Sequence, residues 1–294
     1  MTATGAVVHV LRTEPLDLDS FTVRRLLPHD SRASIGPFVF YDHMGPADMP
    51  IGAGVDVRPH PHVGLATLTY LFEGEILHRD SLGSVQPIRP GAINLMTAGR
   101  GIVHSERTPP EVRAKPSRLH GIQTWLALPA EKEDVAPAFT HVPAEKVPRI
   151  ERDGMRIAVI AGAALGVTSP VPTHAKTLYV VADLARDAIW HLPTDARELA
   201  IHVASGRVRV AATIVAPGEM AVLDAKQRNI AVALEESKVV AIGGDPLGPR
   251  LLWWNFVTTS EARMARAKAR WRDGGFDRVP GDDEFIPLPA DEDG

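Results

Sequence analysis

The chain has 294 residues, 32 Lys and Arg against 36 Asp and Glu, and no cysteine. Without cysteine, disulfides, thiolate zinc sites and a cysteine nucleophile are excluded, so any metal must be held by His, Asp, Glu or main-chain oxygen. Six of the acids and none of the bases fall in the last fourteen residues. The body is therefore close to neutral, against a nucleic-acid binder that works through bulk charge, and the acidic end reads as a solvated tail.

A hydrophobic fraction of 45% is enough for a packed core. The first residues lack a basic stretch followed by a long apolar one, and the longest apolar run, residues 157–167, is too short to span a bilayer. A soluble cytoplasmic protein that does not bind membranes is the expectation.

Short apolar runs recur between glycine and proline breakers, at residues 37–41, 66–72, 121–128, 156–160, 177–181, 199–203, 208–210, 220–223 and 238–242. Many are β-branched or aromatic, and the pattern predicts an all-β sandwich or barrel. Residues 69–99 and 199–227 share one design: strand, glycine turn, strand, then a Pro-Gly turn at Pro90-Gly91 and Pro217-Gly218, and another strand. Two related β-domains follow, residues 1–140 and 141–294, joined near the charged, proline-bearing stretch 129–148. One helix is predicted, capped by Thr259 or Ser260, led by Glu261 and ended by Gly274. Met264, Ala267 and Trp271 share a face, so it reads as a terminal helix docked on a sheet.

The chemistry concentrates in His60-Pro61-His62 and His104-Ser105-Glu106. In a strand, residues i and i+2 face the same way. His60 would project with His62, and His104 with Glu106. If the two strands face one cavity, three imidazoles and a carboxylate converge, a set that suits a divalent first-row metal and leaves coordination positions open. Pro61 is tolerated at a strand start or bulge. Gly99 and Gly101 would form the turn that delivers the second pair.

Residues 60–83, Pro90-Gly91 and residues 96–106 (MTAGRGIVHSE) together resemble the pirin family, whose members are two-domain cupins. The likeness is strongest from about residue 38 to 106. It runs more weakly through the second β-domain to the Gly-Gly-Asp-Pro-Leu turn at 243–247. It implies two jelly-roll-like cupin domains, with His60, His62, His104 and Glu106 holding Fe(II) in the first and no metal in the second. Ni, Cu, Mn, Zn or Co are the alternatives to iron. It also implies either a quercetin 2,3-dioxygenase acting on a phenolic substrate, with Glu106 as both ligand and base, or a non-catalytic, iron-dependent redox sensor that binds a regulatory protein. Oligomeric state does not follow. Many pirins have Arg-Gly-Phe-Glu after the His-Pro-His; here Val63-Gly64-Leu65-Ala66 stands instead, two charges fewer near the expected site mouth.

Lesser candidates are read more plainly. His78 is a hydrogen-bonded histidine near an Asp80-Ser81 turn, with a supporting or pocket-lining place as the alternative. His43 is a loop histidine, with a pocket-facing place as the alternative; Met96 is a core methionine, the alternative being a place beside the metal; Tyr70 and Trp125 are barrel core. Asp42 and Arg100 could form an ion pair. Trp253 and Trp254 would alternate in and out of a strand, or make an oligomer contact.

Overall fold

The computed structural model describes residues 6–17 and 21–289. The repeat seen in the sequence is real: two β-sandwiches each set a seven-stranded sheet against a four-stranded one. In the first, the large sheet runs Ala138–Val142, Ile93–Thr97, Leu65–Glu73, Ser117–Ala127, Phe38–Met49, Thr22–Leu27, Leu16–Asp17. Its small sheet runs Asp56–His62, Ile102–Arg107, Ile76–Asp80, Val85–Ile88. The second sandwich repeats this plan, its large sheet centred on Glu198–Ser205, Ser237–Gly244 and Thr177–Leu184.

The two large sheets pack face to face. One apolar cluster draws Leu26, Tyr41, Leu68 and Ile122 from the first sandwich and Ile160, Tyr179, Val240 and Ile242 from the second. Each central strand is therefore buried on both faces, and reads as a continuous apolar run instead of an alternating one. The alternation survives in what the residues touch. On Phe38–Met49, Tyr41 and His43 look toward the second sandwich, whereas Phe40 and Met44 pack into the first. Tyr70, expected inside a barrel, belongs to this joint, while Trp125 lies in the first interior beside Phe40.

The termini cross over. Val7–Leu11 pairs with Met220–Leu223 and extends the second large sheet. Ala138–Val142 is a strand of the first sheet and Arg149–Arg152 one of the second, so the chain passes between sandwiches within residues 143–148. The helix Glu261–Arg272 starts where expected, the Ser260 side chain accepting from the Arg263 amide at 3.3 Å. Met264 and Ala267 seat it against Phe256 and Val63. Trp253 ends a strand, but Trp254 has φ +51 and turns the chain, so the pair does not alternate along one strand. Both indoles pack around Phe256, near the helix.

The described part of the acidic end is docked through Asp282 and Ile286, while Asp283 and Glu284 stay exposed as expected. Asp282 takes a two-pronged hydrogen bond from Arg107 at 3.0 Å, the Ile286 amide donates to the Pro59 carbonyl at 2.8 Å, and Trp271 Nε1 donates to the Ile286 carbonyl at 3.0 Å. Asp291, Glu292 and Asp293 lie outside the described residues. Among the described residues no helix is long and apolar enough to cross a membrane.

His43, expected on a loop, is buried on a strand at this joint. Its Nε2 lies 2.9 Å from Nε2 of His120, and its ring meets His202 of the second sandwich edge-on at 4.7 Å. His202 is held through Nδ1 by the Glu219 carbonyl at 3.0 Å. Burial, with the neighbouring rings and Arg24, pushes His43 down to about 2 and His202 to about 3. Burial lowers His120 to about 4, opposed by Glu73 and assisted by Lys238 and Arg118. All three are neutral in the folded chain, whereas an unfolded chain takes up protons near pH 6.5. Their contribution to stability is thus complete above that pH and is lost as pH falls toward the folded values, at up to about 1.4 kcal/mol per pH unit for each histidine. Thermal melts from pH 7.5 to 4.5 should show a steep fall in melting temperature below pH 6.5. His202→Gln should flatten that slope; an unchanged slope would remove His202 as one of its sources.

Candidate metal centre

The strand Asp56–His62 is the edge of the small sheet, which accommodates Pro61 without a lost ladder bond. It pairs antiparallel with Ile102–Arg107, placing His60 opposite His104 and His62 opposite Ile102. The two turns flanking these strands are tied together, the Gly64 amide donating to the Gly99 carbonyl at 2.8 Å. Both glycines have positive φ, and a side chain at either would strike a carbonyl oxygen, that of Val257 or Val135, at about 2 Å.

His60, His62 and His104 converge. Their ring centroids form a triangle of 5.0, 4.4 and 4.9 Å, and one nitrogen from each lies within 4.8 Å of the others. All three are buried. Nδ1 of His60 donates to the Arg58 carbonyl at 2.8 Å, leaving Nε2 for another partner. The ring of His62 bonds the main chain of Asn255, yet its Nδ1 is buried with no partner. Nε2 of His104 is likewise buried and unpartnered. Burial, reinforced by the neighbouring histidines, lowers His62 and His104 well below the usual imidazole range; burial lowers His60 to about 4. The rings are neutral at neutral pH, the form that offers a lone pair to a metal. Unpartnered buried polar atoms are costly, and a cation among these three would satisfy them. The donors fit a divalent first-row metal.

Glu106 is buried but stands apart from that set of converging atoms. Its oxygens lie 3.0 and 2.9 Å from Nε2 of Gln123. Burial raises its pKa, and the Gln123 hydrogen bond only partly offsets this. Gln123 was not singled out from sequence, although a lone amide inside the apolar run 121–128 is a usable signal. Its strand Ser117–Ala127 also carries Trp125, which meets His62 edge-on at 5.1 Å and stacks on Phe40 at 4.0 Å.

Behind His104 lies a second buried pair. Nδ1 of His78 is 3.4 Å from Nδ1 of His104, and Nε2 of His78 is 3.0 Å from Oδ2 of Asp80. The other oxygen of Asp80 accepts from the amides of Leu82 and Ser84 at 2.9 and 3.0 Å. Burial pushes the Asp80 carboxyl up, but hydrogen bonds from His78 and Ser84 outweigh it and hold it below the usual range. His78 is therefore the hydrogen-bonded turn histidine expected, and it also touches a site residue.

The remaining candidates sort out simply. Asp42 is paired not with Arg100 but with Arg25, through two bonds of 2.9 Å, because the adjacent strand brings Arg25 opposite it. Met96 is core, packed with Ala98 and Ile102. Val63 and Ala66 are packing positions: Val63 lies with Val103, Phe276 and Trp271 under the C-terminal segment, and Ala66 faces the joint. Both positions thus pack at seams between segments.

Comparison with known proteins places this geometry. Residues 20–126 match the family model described as Pirin, and residues 179–277 the one described as Pirin C-terminal cupin domain. The chain is 46% identical to a pirin-like protein of Caulobacter vibrioides, over 93% of this chain and 96% of that one. It is 42% identical to a "Putative quercetin 2,3-dioxygenase" of Pseudomonas aeruginosa, over 86% of this chain and 79% of that one. A crystal structure of quercetin 2,3-dioxygenase from Acinetobacter baumannii superposes with a TM-score of 0.89 at 34% identity, covering 98% and 97% of the two chains.

Replacing Gln123 with Leu removes the amide that satisfies the Glu106 carboxylate. The metal-free variant should be less stable by roughly 1–3 kcal/mol at pH 7.5. Because the carboxyl is then easier to protonate, the gap to the parent should narrow at pH 5.5. Urea denaturation at the two pH values measures both effects, and a gap independent of pH would dissociate Gln123 from the ionisation of Glu106.

Proposed function

The chain belongs to the pirin family, and from that premise we propose that it is a metal-dependent dioxygenase of the quercetin 2,3-dioxygenase type, cleaving a flavonol-like phenolic substrate with molecular oxygen. The observation that carries this reading is the buried triangle of neutral imidazoles, two of whose nitrogens have no partner. The close relatives and the superposed structure bearing that enzyme's name support the substrate class. His60, His62 and His104 would hold the metal, and Glu106 would become the fourth ligand only by turning from Gln123 toward them. Fe(II) is the metal proposed; Ni, Cu, Mn, Zn and Co suit the same donors. When bound, the metal supplies Lewis acidity toward an enolic hydroxyl and a redox centre for oxygen.

The remaining chemistry belongs to side chains. Glu106 takes the proton of the substrate hydroxyl on a carboxylate oxygen, and its burial, by raising its proton affinity, suits it to the role of base. Gln123 competes for the same oxygens and so moderates that affinity. Trp125, stacked on Phe40 and resting on His62, forms an apolar wall that keeps water from one side of the imidazoles.

Protein loaded with Fe(II) and mixed with quercetin in air should bleach the flavonol absorbance with matching oxygen uptake. Intact metal without turnover of quercetin or related phenols would overturn the enzyme reading and favour the redox-sensing, protein-binding role. His62→Ala should lower metal content at least tenfold, measured by elemental analysis after dialysis, and abolish any turnover. Unchanged stoichiometry would mean that the ligands are wrongly assigned.

A further inference from the structure

We infer that Asp80 and His78 form a tautomer relay that holds His104 with its Nε2 lone pair free for the metal. The inference rests on the metal-binding reading and adds two positioning residues to it. His78 lies on Ile76–Asp80, the strand next to Ile102–Arg107 on the side away from the His60–His62 strand.

The argument follows the protons. Asp80 is an ionised carboxylate, able only to accept. Oδ1 is engaged by two main-chain amides, so Oδ2 is the oxygen that meets His78. Nε2 of His78 must therefore carry its hydrogen. We take that as the ring's only hydrogen, which leaves Nδ1 a bare lone pair. That lone pair faces Nδ1 of His104, which must carry the hydrogen to make the contact. The lone pair of His104 is left on Nε2, the buried nitrogen with no partner in the chain. One carboxylate, fixed by a turn, thus decides which nitrogen of a ring on the neighbouring strand is bare. Such partners behind a ligand fix the tautomer and raise its basicity.

The surroundings suit a fixed device. His78 and Asp80 are 3% and 0% exposed, so water does not compete for these bonds. The His78 ring stacks on Phe139 at 4.4 Å and 14°, which sets its plane. Phe139 comes from Ala138–Val142, the outermost strand of the large sheet, so both sheets of the first sandwich contribute to the orientation of one ligand.

Asp80→Asn is the informative substitution. Its amide oxygen should keep the two main-chain donors, so its NH2 faces His78 and demands a lone pair on Nε2. His78 must then carry hydrogen on Nδ1, and His104 must turn its own lone pair toward it. Nε2 of His104 becomes protonated and is lost to the metal. His78→Phe retains the stack on Phe139 but transmits nothing, leaving His104 free to adopt either tautomer.

Co(II) titration of the metal-free full chain, followed by visible absorption and competition with a chelator, tests the relay. Asp80→Asn should bind Co(II) about 10–100-fold more weakly than the parent. His78→Phe should lose less, and the double variant should bind like His78→Phe, more tightly than Asp80→Asn alone. That recovery is the signature of transmission, since a loss of turn structure at position 80 would persist in the double variant. Parent-like affinity in Asp80→Asn would overturn the relay, as would additive losses. Should Asp80→Asn not fold, parent-like affinity in His78→Phe would overturn it as well. A parent chain that fails to bind Co(II) would instead sink the metal centre itself.

Discussion

The face-to-face packing of the two seven-stranded sheets constrains everything else. It buries both sides of residues 38–44 of one strand and 119–127 of another, so their buried side chains belong either to the interior of the first sandwich or to the joint. On Ser117–Ala127, Gln123 and Trp125 go inward to Glu106 and His62, while His120 and Ile122 go outward to the second sandwich. A slip of one residue in register would exchange the two sets, sending an imidazole to the site and an indole to the joint. The second sandwich, with a single inward-joint histidine in place of a ligand set, thus fixes the geometry of the site as the outer wall of the strands that build it.

Much of this was legible in the residues. Period-two spacing put His60 with His62, and the repeat of strand, turn, strand and Pro-Gly turn announced two sandwiches. The helix cap at Ser260 followed from local chemistry. What could not be read was long-range. Asp42 and Arg25 are seventeen residues apart in sequence, and only strand pairing makes them partners. His43 looked like a loop residue because Gly45 and Pro46 follow it, yet tertiary pairing with Ser117–Ala127 carries the strand through them. Two-sided burial erased the polar half of the alternation, so nothing local separated Tyr70, at the joint, from Trp125, in the interior. The acidic end misled for the same reason: a charge run reads as solvated until a buried-strand arginine such as Arg107 is brought beside it.

Two histidine clusters coexist in one chain, and their supports differ. At the joint, His43, His120 and His202 lean on one another and on the Glu219 carbonyl, with cations nearby. In the first sandwich, His60, His62 and His104 are held from behind by carbonyls and by His78, so their bare nitrogens turn inward to a common point. The ring type is the same. What separates a packing cluster from a ligand set is whether the lone pairs converge, and that is decided by the partners on the far side of each ring.

The crossing of the termini bears on how the chain is made. The strand Val7–Leu11 is made well before the edge it joins, Met220–Leu223. The segment that clamps Arg107 and Pro59, around Asp282 and Ile286, is made after every strand of the first sandwich. Until that segment is made, the sheet that carries His60, His62 and His104 has a bare outer flank. Each sandwich thus takes one of its packing elements from the opposite end of the sequence.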